Sequence, residues 1–520
     1  MHDRPTDRGS TDRESADRGS TDRGSTDRGS AVSTAPSPDG DRRRWHALGV
    51  GLVAAFMTLL DVSIVNVAVP SVEKALHASP SDLQWVLSGY ALTFGLILVP
   101  AGRFGDARGR RNAFVLGIAL FTLTSALAGL ATSPGWLVAA RLLQGAAAGI
   151  VNPQVTGLIQ QLFRGSERGR AFGLLGATIG ISTAVGPLLG GLLIQLGGEA
   201  HGWRWVFFVN VPVGIVAVLL GWRLLPSRPT GQPDRHRLDP VGVLLLGIGV
   251  VCLLLPLVQR EQWHSGWKWA LVPAGLLLLA GFGLWEHRYA RQQTPLFDLR
   301  LFGVRSYTLG ALIALIYFGG FTAIFFIFTL YLQNGLGYSA LVAGLAITPF
   351  ALGSALASAL GGRVVNRFGR PLVGVGLAVV VLSLGAVVVV LRGTPSGSVP
   401  LLTAVPLLLA GLGSGLVIAP NQTLTLAEVP VPQAGSAAGM LQTGQRIGSA
   451  AGIAAVGSVF FSSLSSTRGD WSAAFRHSLL LATGIIALAL IAALLDVALS
   501  RHADHPSSHP PAHSSATDGP

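Results

Sequence analysis

Two charged residues lie deep inside long apolar runs, where charge is costly and therefore informative. Asp61 falls within the run 47–69 and Arg141 within 136–154. A charge at the centre of a membrane helix is expensive, so each must face water or a partner, or the acid must carry a proton. Asp61 is thus a candidate to take up and release a proton as its surroundings change. The competing role is a buried hydrogen bond between helices. At about 100° per residue, Arg141 shares a face with Gly145, Ala148 and Asn152, and Gln144 lies alongside. A fixed cation near Asp61 would govern how tightly the acid holds its proton, whereas a plainer arginine would clamp backbone carbonyls. Further on, Gln442, Gln445, Arg446 and Ser449 share one face of the run 436–461. They either line a substrate path or anchor the helix at the interface.

The elements that carry these groups follow from composition. Of 520 residues, 50% are hydrophobic and 12% charged, against about 25% charged in an ordinary soluble domain. That excludes a chain of soluble domains, and the expected fold is an all-α polytopic membrane protein. A span needs about 20 apolar residues. Fourteen such runs occur, near 47–69, 82–101, 112–131, 136–154, 171–196, 204–225, 240–258, 268–286, 307–333, 341–361, 371–391, 399–419, 436–461 and 475–497. Arginines cluster at 42–44, 103–111, 164–170, 223–237, 288–305 and 363–370, which are alternate loops. The intervening loops hold only Lys74, Arg204, Arg260, Lys268, Arg392, Arg468 and Arg476. By the positive-inside rule both termini are cytoplasmic. Trp85, Trp136, Trp203, Trp263, Trp267 and Trp269 fall at the outer ends, where amphipathic rings favour the interface.

Several functions are excluded. The basic excess is broken up between apolar runs, which argues against nucleic acid. Lys74 and Lys268 both lack the Gly-Lys-Ser/Thr context of an ATP-binding phosphate loop. No HExxH, Cys/His cluster or GxSxG elbow is present, so no metal, cofactor or enzymatic activity is expected. Cys252 is the sole cysteine and cannot form an intrachain disulfide. Residues 6–30 repeat a TDRGS-like unit, and the stretch to 46, like 501–520, is too polar to fold. The expected organisation is a tail (1–46), a six-helix bundle (47–225), two additional helices (226–300), a second bundle (301–500) and a tail (501–520).

Two loops share a pattern. Gly102-Arg103-Phe-Gly-Asp106-Ala-Arg-Gly109-Arg110-Arg111 is matched by Gly362-Arg-Val-Val-Asn366-Arg-Phe-Gly-Arg370. Duplication of a six-helix unit explains this, and transporters are commonly built from such repeats with the substrate site between them. Asp106, set among arginines, is placed to cap or pair with neighbouring helix ends and latch one conformation.

With these residues in view, the chain resembles the major facilitator superfamily, in particular its fourteen-span drug:proton antiporter branch. Leu60-Asp61 through Asn66 to Pro70 is similar to that branch's first-helix motif. The loop 102–111 resembles the superfamily's general signature, Arg141-Leu-Leu-Gln144-Gly145 its fourth-span motif, and Gly180, Gly186, Pro187, Gly190 and Gly191 the fifth-span antiporter motif. Trp203-Arg204-Trp205 with Phe207, Asn210 and Pro212 is also similar to the branch.

The resemblance implies two six-helix bundles plus two central helices in the cytoplasmic membrane. It also implies export of small hydrophobic or cationic drugs and antibiotics in exchange for protons, without a cofactor and as a monomer. Asp61 and Arg141 would couple the proton, and Asn66, Gln144, Asn152, Gln442, Gln445 and Arg446 are candidates for the substrate path. Two alternatives stay open: an importer or uniporter of a small metabolite, and a non-transporting membrane sensor.

Overall fold

The computed structural model describes residues 38–227, 239–258, 263, 265–293, 295–392 and 396–503. The chain falls into two units, Met1–Asp41 and Arg42–Pro520, and the packing below is that of the second. Fourteen α-helices carry the fold: α1 (Pro38–Leu76), α2 (Pro80–Arg108), α3 (Arg110–Gly129), α4 (Pro134–Leu162), α5 (Gly165–Phe208), α6 (Asn210–Leu224) and α7 (Pro240–Val258) come first. They are followed by α8 (Leu271–Tyr289), α9 (Arg305–Leu330), α10 (Ala340–Phe368), α11 (Arg370–Val390), α12 (Val399–Thr425), α13 (Ala434–Ser466) and α14 (Trp471–Ala503).

Among the described residues, 14 segments are long and apolar enough to cross a membrane. The fifth ends at Gly198, whose φ of 75° breaks α5, and the sixth runs His201–Leu224. Strongly exposed leucines such as Leu382 and Leu401 would be a liability in water. On a membrane protein they are the lipid-facing surface.

Local signals set the helix ends. Ser79 and Asp82 form a reciprocal capping box at the start of α2, and the Ser133 and Ser339 hydroxyls cap α4 and α10. Gly109 (φ 100°) and Gly369 (φ 58°) make the turns after α2 and α10. The two copies of the loop pattern thus place glycine where the backbone needs a left-handed conformation.

Helices α2, α3, α4 and α6 pack together, as do α9, α11, α12 and α14, while α7 and α8 form a hairpin whose α7 also touches α2 and α13. Two seams join the bundles, α2 with α13 and α5 with α10. If the second bundle repeats the first, α2 corresponds to α10 and α5 to α13, so the two seams are one contact made twice.

Three sequence expectations change. Helix α1 begins at Pro38 and α14 continues to Ala503, so both helices reach into stretches expected to be tails. The TDRGS repeats and residues 504–520 lie outside the described residues. Trp203 is not an interfacial ring: it is fully buried, edge-on to Phe207 and beneath the Arg204 guanidinium.

Candidate transport site

Asp61 comes from mid-α1 and is fully buried. Its Oδ2 lies 2.5 Å from Arg141 Nη1, and its Oδ1 accepts from Gln144 Nε2 at 2.9 Å and Asn210 Nδ2 at 3.0 Å. Arg141 also donates to Gln144 Oε1 at 2.8 Å and to the Val86 carbonyl at 3.1 Å. Three helices, α1, α4 and α6, therefore converge on one carboxylate surrounded by donors, as a buried charge requires. Of the settings expected for Asp61 (water, a partner or a bound proton), this conformation gives it a partner, Arg141. Gln144, expected on the substrate path, is consumed by this network and is also fully buried.

The network has an aromatic extension. The Arg141 guanidinium sits 4.3 Å from the centre of the Tyr90 ring, and Tyr90 stacks on Phe94 at 6.2 Å. The opposite side of this ladder is Arg446 of α13, whose guanidinium lies 4.4 Å from the Phe94 ring centre. Charge over an aromatic face is favourable, more so when desolvated. Arg141 and Arg446 thus bracket two rings of α2, linking the interior of the first bundle to the α2–α13 seam.

At the end of the molecule carrying loop 102–111, the seams are shut. The Asp106 carboxylate accepts the backbone N–H groups of Gly435 (3.0 Å) and Ser436 (2.9 Å) at the start of α13, and the Arg110 guanidinium at 2.8 Å. An acid at a helix N-terminus also meets the favourable end of the helix dipole. Arg110 spans the seam to the Val431 carbonyl and holds Gly157 of α4. Gln160 and Arg168 reach the Leu426 and Ala427 carbonyls across the same gap. Arg103 is buried near Asp106 and Glu286, and Arg111 lies over Trp222.

In the second copy, Asn366 is exposed, so the acidic latch exists on one seam only. The backbone contact, however, is present in both. A Cβ on Gly102 would collide with the Gly435 carbonyl, and one on Gly362 with the Gly169 carbonyl.

The glycines of α5 divide. A Cβ on Gly180 would lie 2.9 Å from backbone atoms of Ala351 and Ala355 in α10, one on Gly186 would strike Ser63, and one on Gly190 would meet Ile64 at 2.9 Å. Pro187 faces Gly344 of α10. Gly191 has nothing within 4 Å and takes no part in this packing. Of the remaining path candidates, Asn66 is exposed, and Asn152 is half-buried against the Ala148 carbonyl. Gln442 donates to Thr156 of α4 at 3.2 Å, and Gln445 and Arg446 are half-buried.

One buried cluster was not singled out from the sequence. Asp239 caps α7 through Val241 N–H and accepts Trp285 Nε1 at 2.7 Å. Glu286 of α8 accepts the Leu296 N–H at 3.0 Å and the Phe297 N–H. Both carboxylates converge on Gly242, where a Cβ would lie 2.7 Å from Glu286 Oε1. They fasten the α7–α8 hairpin to the segment that leads into α9. Their sequence positions, at the ends of apolar runs, read as ordinary interfacial acids.

Comparison with known proteins agrees with this architecture. The family model described as Major Facilitator Superfamily matches residues 51–452 and again 310–518. The chain is 38% identical over 438 residues to the probable actinorhodin transporter of Streptomyces coelicolor, covering 83% of this chain and 75% of that one. It is 38% identical over 436 residues to the puromycin resistance protein pur8 of Streptomyces alboniger, covering 82% and 84%. The human organic anion transporter MFSD10 superposes with a TM-score of 0.62 at 15% identity, covering 86% of this chain and 99% of that one. The doubled seam, the repeated loop and the family match over most of the chain converge on one assignment: this multi-pass membrane protein belongs to the major facilitator superfamily of transporters.

Proposed function

We propose that the chain exports antibiotic-like small molecules across the cytoplasmic membrane in exchange for protons, with Asp61 as the proton-carrying group. Relatives named as a probable actinorhodin transporter and a puromycin resistance protein support the export of such molecules. The observation that carries the proton role is the buried Asp61–Arg141 pair, with Gln144 and Asn210 completing the carboxylate's donors.

Protonating that carboxylate removes the charge that Arg141 answers and leaves a buried guanidinium uncompensated. The pair is therefore stable as a closed unit and unstable when half-neutralised, which is the property of a switch. In the cycle, the proton enters Asp61 when the end away from loop 102–111 opens. It leaves when the latch at Asp106 is released and cargo binds from the cytoplasm. The positive-inside bias of the basic loops supports an orientation with the latch and both termini on the cytoplasmic side. One pH unit supplies about 1.36 kcal/mol per proton, and 100 mV adds about 2.3 kcal/mol per charge.

The test is an imposed pH gradient across everted vesicles carrying the protein. Gradient-driven accumulation of a fluorescent drug, lost in Asp61→Asn while the variant still inserts, is expected. Accumulation that survives the substitution would remove Asp61 from the coupling role.

A further inference from the structure

Several other arginines of this molecule are answered by acids. Arg141 pairs with Asp61, Arg110 with Asp106, and Arg305 and Arg370 with Asp496. Arg446 differs. It lies twelve residues into α13, a distance of about 18 Å along the axis, which puts it near mid-membrane. Among the described residues no carboxylate pairs with it. Its guanidinium rests on the face of Phe94, its Cβ lies against Gly95, and Leu254 of α7 closes the same spot. The titratable group within electrostatic reach of it is the Tyr90 hydroxyl, one ring further along α2.

Arginine does not shed its proton in proteins, so this position holds a permanent, half-buried cation. The same face of α13 carries Gln442, and Gln442 shares Thr156 with Gln422 of α12. The seam between the bundles at this depth is therefore lined by uncharged hydrogen-bonding groups, aromatic rings and one positive charge. A cationic drug would meet repulsion there. An anionic oxygen attached to a flat ring would meet a two-pronged donor held flat against the Phe94 ring.

We infer that Arg446 and Phe94 form the anchor for an acidic aromatic substrate, a ring system carrying an ionised carboxyl or phenol group. The inference rests on the export reading above and narrows its cargo. It also changes the electrical character of the exchange. One anion out against one proton in moves two charges, whereas one cation out against one proton moves none.

Two dyes of the same ring system and opposite charge test this in proteoliposomes: fluorescein, an anion, and rhodamine 6G, a cation. With an imposed pH gradient, wild-type protein is expected to move fluorescein at least tenfold faster than rhodamine 6G. A potassium–valinomycin potential should accelerate fluorescein flux further. Arg446→Gln should lose fluorescein flux at least tenfold, and Arg446→Lys, which keeps the charge, should recover part of it. Preference for rhodamine 6G, or fluorescein flux unchanged in Arg446→Gln, would overturn the inference while leaving proton-driven export standing. If neither dye moves, the export reading loses its support, and fluorescein binding to purified protein decides the site. Binding weakened tenfold by Arg446→Gln in a variant with an unchanged melting temperature upholds the anchor, and absent or unaltered binding overturns it.

Discussion

The Asp61 carboxylate and the Arg141 guanidinium approach to 2.5 Å across residues 80 apart in sequence, and both are buried to within 1% of full burial. A pair of this kind adds little net stability, but breaking it leaves a lone buried charge, at a cost of about 3–5 kcal/mol. Asp61→Asn and Arg141→Gln should each lower the melting temperature in detergent and abolish pH-driven transport. The double variant, which removes both charges, should regain most of the melting temperature and none of the transport. Transport restored in the double variant would show that the pair is structural only.

The latch should be separable from the pair. Asp106→Asn keeps the shape but removes the charge facing the Gly435 and Ser436 N–H groups and Arg110. Hydrogen bonds to charged groups contribute about 1.5–3 kcal/mol, so the seam should open more often by one to two orders of magnitude. A Cys252→Ser background with Gln442→Cys as reporter gives the readout. Maleimide labelling from the cytoplasmic side should rise at least fivefold in Asp106→Asn, and unchanged labelling would assign closure to the remaining contacts.

Backbone contact sets a harder limit. A methyl group at Gly362 would collide with the Gly169 carbonyl and lie 2.6 Å from the Gly173 Cα. Gly362→Ala should therefore hold the α5–α10 seam apart and cut transport more than tenfold. Gly385→Ala is the control: it has nothing within 4 Å, and alanine favours a helix by about 1 kcal/mol. Transport equal in both variants would mean that the seam can separate without loss.

The hairpin joint is open to a stability test. Glu286→Ala strips the Leu296 and Phe297 N–H groups of their acceptor in a buried place. Each orphaned donor costs about 1–3 kcal/mol, so thermal unfolding of the detergent-solubilised protein should move several degrees lower. Glu286→Gln, which retains an acceptor oxygen, should fall in between. An unaltered melting curve for Glu286→Ala would show that the joint contributes nothing.

Span number and position were legible because apolar run length answers directly to bilayer thickness, and all fourteen runs became helices. Asp61 and Arg141 were legible as isolated charges within apolar runs. What one-dimensional reading lacked was depth along neighbouring helices. Gln144 shares the polar stripe of Asn152, yet it turns into the Asp61 network while Asn152 remains half-buried against its own helix. Gly190 and Gly191 are adjacent and equivalent in sequence, but one meets Ile64 and the other open space. Asp239 and Glu286 lie 47 residues apart in sequence, and only the fold of the hairpin brings them to the same glycine. Trp203 carried an interfacial signature and was buried by the bend at Gly198.

The meeting of Gly102 with Gly435, repeated by Gly362 with Gly169, is made by main chain alone. Peptide units are common to every sequence, so a contact built from them is indifferent to the side chains that surround it, provided the glycines are kept. Side chains elsewhere in the two bundles can therefore change while the closing contact is inherited unaltered.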